Sequence, residues 1–249
     1  MKVIYSNCTV GECAPEEELH IIRHSAAHIM AQAISRLWPE AKCAYGPAHE
    51  TGFYSDVDLG DKTVSEEDLA KIEAEMKKIV KENLPIRPFI LPREEAVAYM
   101  QERGEKYKVE HIADLPEDAV ISFYKQGDYV DMCVGPHITY TKALKAFKLT
   151  AVSGAYWKNN KDNKMLTRIK GIAFRTQQEL DDYLKLLEEA EKRDHRKIGK
   201  EMGLFMLCEE ATGFPFFLPK AWLSKMRSST TGAIFIPAST TSRFRPLLS

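Results

Sequence analysis

Residues 17–38, EELHIIRHSAAHIMAQAISRLW, repeat apolar side chains with the periodicity of an α-helix, and Pro39 follows directly. Because proline stops a helix, we predict one amphipathic helix over this stretch. Its apolar positions are Ile22, Ala26, Ile29, Met30, Ala33 and Leu37. His24 and His28 project from one face about one turn apart, roughly opposite that apolar stripe. Small neighbouring residues leave space for a ligand, although histidine pairs of this kind are more often surface or packing residues.

The rest of the chain predicts helices and short strands that do not alternate strictly. Short strands are expected at 53–59, 86–91 and within 119–157, where Gly127-Asp128, Gly135-Pro136 and Gly154 separate them. Helices are expected from a capping box of Ser65 and Asp68 through Lys81, at 93–103, and as one long charged helix at 177–204. This order is typical of an α+β fold.

A second cluster of reactive residues occurs in DYVDMCVGPH, residues 128–137. Cys133 and His137 lie four apart across a Gly-Pro turn, and Asp131 shares a strand face with Cys133. Two pairs with matching spacing can converge either as four zinc ligands or as a polar cluster that orients a hydrolytic water. Spacing alone favours neither interpretation.

The composition excludes several classes of protein. The chain has 249 residues, 44% of them hydrophobic, and a net charge of -1, so it predicts a packed core and no global basic surface for nucleic acid. Five scattered cysteines indicate reduced thiols, and no apolar run is long enough for a signal peptide or a membrane span. We therefore expect a cytoplasmic protein without a membrane role.

Several ordered motifs resemble the editing domain of bacterial-type threonyl-tRNA synthetases, and more loosely the editing modules of alanyl-tRNA synthetases. They are HSAAH at 24–28, GFYSD at 52–56, DMCVGPH at 131–137, AYW at 155–157 and NKMLTR at 163–168. The segment 190–205 resembles the linker to a class II catalytic core, and GFPFFLPK at 213–220 resembles the start of that core. The resemblance implies a lead at 1–13, an editing domain at 14–176, a linker helix at 177–204, a truncated core start at 205–220 and an aberrant tail at 221–249.

The resemblance also implies a function and a set of residues. The implied site consists of His24, His28, Lys108, Asp131, Cys133 and His137. The implied reaction is hydrolysis of mischarged seryl-tRNA(Thr), with the acceptor end of that tRNA as partner and no cofactor required. One alternative is a zinc-dependent alanyl-type deacylase that uses His24, His28, Cys133 and His137 as ligands, and another is an inactive tRNA-binding remnant.

The sequence departs from the family pattern at two places and stops matching it near residue 220. Val134 stands where the family usually has arginine, and Ser55 replaces a second tyrosine. His20, His49, His111 and His195 match no functional position. Residues 221–249 contain no Asp or Glu, and we interpret them as an out-of-frame translation. We therefore expect no ligation of threonine to tRNA.

Overall fold

The computed structural model describes residues 1–60, 62–207 and 214–223. Its helices are α1 (Glu18–Leu37), α2 (Glu66–Glu82), α3 (Arg93–Glu102), α4 (Lys106–Asp114), α5 (Gln177–Lys192) and α6 (His195–Glu201). Its strands are β1 (Lys2–Ile4), β2 (Val10–Glu12), β3 (Lys42–Tyr45), β4 (Ala48–His49), β5 (Gly52–Asp58), β6 (Ile86–Leu91), β7 (Ile121–Gln126), β8 (Tyr129–Met132), β9 (His137–Ile138), β10 (Ala146–Tyr156), β11 (Met165–Phe174), β12 (Phe205–Leu207) and β13 (Pro215–Phe217). Contacts divide the chain into a first unit, Met1–Asp182, and a second, Tyr183–Ser249.

The main sheet of the first unit has the strand order β10-β11-β5-β3, and β4 pairs with β5. Neighbouring strands within it are antiparallel. Helix α1 packs on β5 and β11, and α2 packs on α1 and β10. The core between these layers includes Phe53, Ile29 and Ile72, each fully buried. The predicted α+β class with mainly antiparallel strands is confirmed.

Two smaller sheets complete the first unit. One has the order β6-β7-β8, and it encloses a second apolar core with α3 and α4 around Phe123 and Ile112. The other has the order β2-β1-β9, so the first residues of the chain pair with the strand that carries His137. The segment between Asp131 and His137 thus links two different sheets.

The helix start predicted from a capping box is confirmed. Helix α2 begins at a capping box in which Ser65 N donates to the Asp68 carboxylate at 3.0 Å. Helix α1 matches its predicted bounds within one residue. It is not two-faced, however, because buried residues surround it on all sides from Ile21 to Ile34. The amphipathic pattern therefore does not describe the whole helix, because His28 is buried as well.

Two other local predictions are also wrong. The predicted helix at 177–204 is interrupted, since α5 ends at Lys192 and α6 begins after Asp194. The Asp194 side chain accepts from Arg196 N at 2.8 Å, and such a local bond competes with a continuous helix. Gly154 does not separate strands, because it pairs with Thr167 inside the long β10–β11 hairpin. The turn lies instead at 157–164.

The second unit contains the part of α5 from Tyr183 onwards, helix α6 and the antiparallel strand pair β12 and β13, with a helical turn at 219–223. Gly199 in α6 packs directly against the ring of Phe205, which leaves no room for a side chain there. Most of the tail predicted at 221–249 lies outside the described residues. The predicted domain limits stay predictions.

Candidate functional site

Helix α1 supplies one side of the candidate site. His24 and His28 both line a cavity, and their ring centroids are 5.4 Å apart. His28 is only 4% exposed, whereas His24 is partly exposed. The spacing of four residues therefore gives the two imidazoles the shared face that the sequence predicted.

The chain from β8 to β9 supplies the opposite side. Cys133 N donates to Ser122 O at 3.0 Å and Ser122 Oγ donates to Cys133 O at 2.6 Å, which extends the β7–β8 pairing past Met132. At Gly135, φ is +67° and a Cβ would overlap the buried Tyr124 hydroxyl. Glycine is therefore required at the turn that folds His137 back towards Cys133.

The two histidine and cysteine pairs meet, although 109 positions separate His24 from Cys133. The Cys133 Sγ atom lies 3.1 Å from His24 Nε2 and 3.4 Å from His137 Nε2. The His137 ring also lies 4.1 Å from the His28 ring, centroid to centroid. Ser25 Oγ contacts His137 Nδ1 at 3.1 Å and accepts from Ile138 N, so α1 and β9 are joined behind the cluster.

Lys108 and Asp131 form a buried ion pair beside the histidines. Lys108 Nζ lies 2.6 Å from Asp131 Oδ1, and the side chains are 9% and 10% exposed. The other Asp131 oxygen accepts from the Tyr129 hydroxyl at 3.2 Å and lies 4.0 Å from His28 Nε2. Lys108 stands among charged neighbours in the sequence, but helix α4 places its side chain in the site.

The histidines of the cluster are neutral at ordinary pH. Burial lowers the pKa of His24 to about 3, with a smaller contribution from His28. Burial likewise lowers the pKa of His28 to about 4 and that of His137 well below its usual value. Burial raises the pKa of the Cys133 thiol to about 12. The cluster therefore presents neutral donors and acceptors rather than cations.

The neighbouring ion pair keeps its charges. Burial disfavours the charged form of each partner, but their mutual attraction outweighs it. The pKa of Lys108 is therefore raised above its usual value, and the pKa of Asp131 is held below its own. One ammonium and one carboxylate thus lie next to a set of uncharged imidazoles.

These groups lie at one part of a cavity of about 560 Å³. Five of the six predicted residues line it, and the sixth, His137, is fully buried behind Cys133. The cavity is also lined by residues that the sequence analysis did not assign to the site, which are Tyr45, Tyr54, His111, Tyr156 and Arg168. His111 follows Lys108 by three residues on α4, a helical spacing that could have identified it. His20, His49 and His195 do not line the cavity.

Four residues of the cluster fit a metal ion. The ligand atoms of His24, His28, Cys133 and His137 all lie within 4.8 Å of one another. Zinc takes neutral imidazoles and thiolates in a tetrahedral set of this kind. Ser25 Oγ can accept from His137 Nδ1–H, the type of outer partner that orients a metal-bound histidine.

Within the described part of the chain, no helix combines the length and apolar character of a membrane-spanning segment.

Comparison with known proteins finds both the domain and its relatives. Residues 121–170 match the model described as the threonyl and alanyl tRNA synthetase second additional domain. Threonine-tRNA ligase of Clostridioides difficile is 60% identical over 205 residues, which cover 82% of this chain and 32% of that protein. The ligase of Acetivibrio thermocellus is 59% identical over 217 residues, or 86% of this chain and 34% of that protein. The chain spans about a third of the length of the curated relatives it matches.

Proposed function

Because this chain belongs to the threonyl-tRNA synthetase family and carries its second additional domain, we propose that it edits tRNA, hydrolysing the ester of mischarged seryl-tRNA(Thr). The observation that carries this proposal is the convergence of six polar residues from three separate segments, five of which line one cavity. Neutral imidazoles beside a buried ion pair provide the donors and acceptors that an ester hydrolysis needs.

His24 positions the attacking water in this proposal. Its imidazole is neutral and borders the cavity, and we assign to it the acceptor role for a proton of the water. A group with so low a pKa is a weak base, and its contribution is to orient the water more than to deprotonate it. The Lys108 ammonium, which also lines the cavity, stabilises negative charge as it develops on the ester carbonyl oxygen.

Asp131 binds the α-ammonium group of the seryl ester. Its carboxylate lines the cavity and stays ionised, so it can accept a charge-assisted hydrogen bond from the substrate amine. Cys133 forms the floor and contacts the ester or ribose, His137 supports Cys133 from 3.4 Å behind it, and His28 supports Asp131 from 4.0 Å. Rejection of threonine requires crowding of its methyl group against this floor.

An editing site is needed because binding alone discriminates weakly between threonine and serine. Serine lacks one methyl group of threonine, and a synthetic site that fits threonine discriminates against the smaller analogue by only about 1–3 kcal/mol. A second site that accepts the smaller side chain and hydrolyses its ester raises the overall accuracy.

A deacylation assay with purified protein tests the proposal. We expect seryl-tRNA(Thr) to be hydrolysed faster than threonyl-tRNA(Thr), and His24→Ala to abolish the activity while circular dichroism stays unchanged. His20→Ala is the matched control, because His20 is an exposed histidine on the same helix that does not line the cavity. Retention of seryl-tRNA in a gel without deacylation would instead support a binding remnant.

A zinc-dependent deacylase is the second candidate, favoured by the four ligand atoms within 4.8 Å of one another. When bound, zinc would activate water and polarise the ester carbonyl. Metal analysis of protein purified without a histidine tag separates the two mechanisms. One equivalent of zinc, together with loss of activity after chelation, supports the metal site, and full activity of metal-free protein excludes it.

A further inference from the structure

The mouth of the cavity carries exposed apolar side chains. Val120, Val134 and Tyr156 line the same cavity as the histidines and are 66%, 77% and 42% exposed. We propose that these three residues, the apolar rim, pack against the base of the nucleotide that precedes the terminal adenosine of the tRNA. This inference rests on the proposed function and extends it to a second nucleotide.

The rim residues lie at or just beyond the ends of paired strands. The bonds between Ser122 and Cys133 continue the β7–β8 pairing, so Val134 lies opposite the start of β7, and Val120 directly precedes that strand. Tyr156 is the last residue of β10 and pairs with Met165 of β11. The strand pairings next to these residues limit how much chain must become ordered when a base stacks, which favours binding.

The charges next to the rim favour an uncharged ligand surface. Arg168 is bonded to the Asp56 carboxylate at 2.7 and 2.8 Å, and Lys158 donates to Asp114. A phosphate placed on either cation would also meet its carboxylate partner. Val134 moreover occupies the position where the resemblance gives an arginine. Stacking on the flat face of a base is therefore the contact that this rim offers.

The size of the cavity places the preceding nucleotide at this rim. A volume of about 560 Å³ is in the range that encloses a drug-sized molecule such as a seryl-adenosine. With the ester at the histidines, the adenosine fills the cavity and its 5′ neighbour reaches the mouth. That neighbour is single-stranded, so its base is free to stack on an aromatic side chain.

Binding of two non-hydrolysable analogues tests the rim. One is adenosine with serine joined through a 3′-amide, and the other is the trinucleotide cytidine-cytidine-adenosine with the same amide. We expect the trinucleotide to have a Kd about tenfold lower than the nucleoside, as one stacked base provides. Tyr156→Ala should reduce this ratio to about one and leave the Kd of the nucleoside unchanged, while Tyr156→Phe keeps the ratio.

Tyr140→Ala is the matched control, since Tyr140 is 49% exposed and does not line the cavity. The proposal of an apolar rim is wrong if the ratio of the two Kd values is unchanged in Tyr156→Ala, or if it is one in the unaltered protein. Val134→Arg provides a second test: it should add about 0.7 to the slope of log Kd against log salt for the trinucleotide, as one phosphate contact does on a single strand. The apolar rim is contradicted if the Kd of the trinucleotide has the same salt dependence in the unaltered protein and in Val134→Arg.

The two proposals fail separately. If both amides bind with the expected ratio but seryl-tRNA is not hydrolysed, the editing function is wrong and the rim stands. If seryl-tRNA is hydrolysed but the ratio is one, the rim is wrong and the function stands. If neither amide binds, the editing function and the apolar rim are both wrong.

Discussion

Replacing Lys108 by methionine should destabilise the protein strongly, because it leaves the Asp131 carboxylate buried without its cation. At a separation of 2.6 Å and an effective dielectric constant of about 20, the direct attraction is about 6 kcal/mol. Desolvation of both groups offsets part of it. The remaining partners of Asp131, Tyr129 and the Met132 N–H, do not carry a full charge. We expect Lys108→Met to lower the free energy of unfolding by about 3–5 kcal/mol.

Urea unfolding at pH 7, followed by circular dichroism, measures this loss. Lys106→Met is a control on the same helix, because the Lys106 side chain is 54% exposed in its ion pair with Asp58. Asp58 also keeps its contacts with Lys164 and Tyr107 in this variant. We therefore expect the free energy of unfolding to fall by about 1 kcal/mol or less. Adding Asp131→Asn to Lys108→Met should restore about 2 kcal/mol, since the orphaned charge is removed. A loss for Lys108→Met no greater than that for Lys106→Met would refute the buried pair.

Two further predictions concern the turn and the histidines. Gly135→Ala should lower the free energy of unfolding by about 3 kcal/mol or more, because the new methyl group overlaps Tyr124. The control is Gly60→Ala, which has a similar positive φ but open space around it and should lower that free energy by about 1 kcal/mol. Equal losses would contradict the crowding at Gly135. The pKa of His28 is lowered by burial to about 4, so the unfolded chain takes up a proton that the folded chain refuses as the pH falls below about 6.5. The contribution of His28 to the free energy of unfolding is thus fully present above pH 6.5 and falls by about 2 kcal/mol between pH 7.5 and 5. His28→Gln should remove this contribution to the pH dependence, as measured by urea unfolding at several pH values. The same pH slope in wild type and variant would refute the prediction.

The sequence predicted elements whose signals are local. Helix α1 was marked by its periodicity and by Pro39, and α2 by the capping box of Ser65 with Asp68. Helix α4 was missed because KYKVEHIAD looks charged throughout. Its buried face includes Lys108. A hydrophobicity pattern counts lysine as polar, so it cannot recognise a buried position where Asp131 of strand β8 compensates the charge. The break between α5 and α6 was missed for a similar reason, since the capping role of Asp194 lies within a run of charges.

The six candidate residues were found by motif, but their arrangement depends on tertiary packing. Spacing gave each pair, His24 with His28 and Cys133 with His137, yet contained no information on the 3.1 Å between His24 Nε2 and Cys133 Sγ. That distance is set by α1 packing on one sheet and by the strands β8 and β9, which belong to two other sheets.

This arrangement links the chemistry of the site to its electrostatics. Imidazoles held between packed layers lose their contact with water, so they remain neutral, and in the proposed reaction they orient water and ester without repelling the substrate ammonium group. The charges that such a reaction requires are then confined to Lys108 and Asp131, which stabilise each other until the substrate arrives. A more exposed cluster would have protonated histidines at mildly acidic pH, and these would compete with Lys108 for Asp131 and repel the amine that Asp131 is proposed to bind.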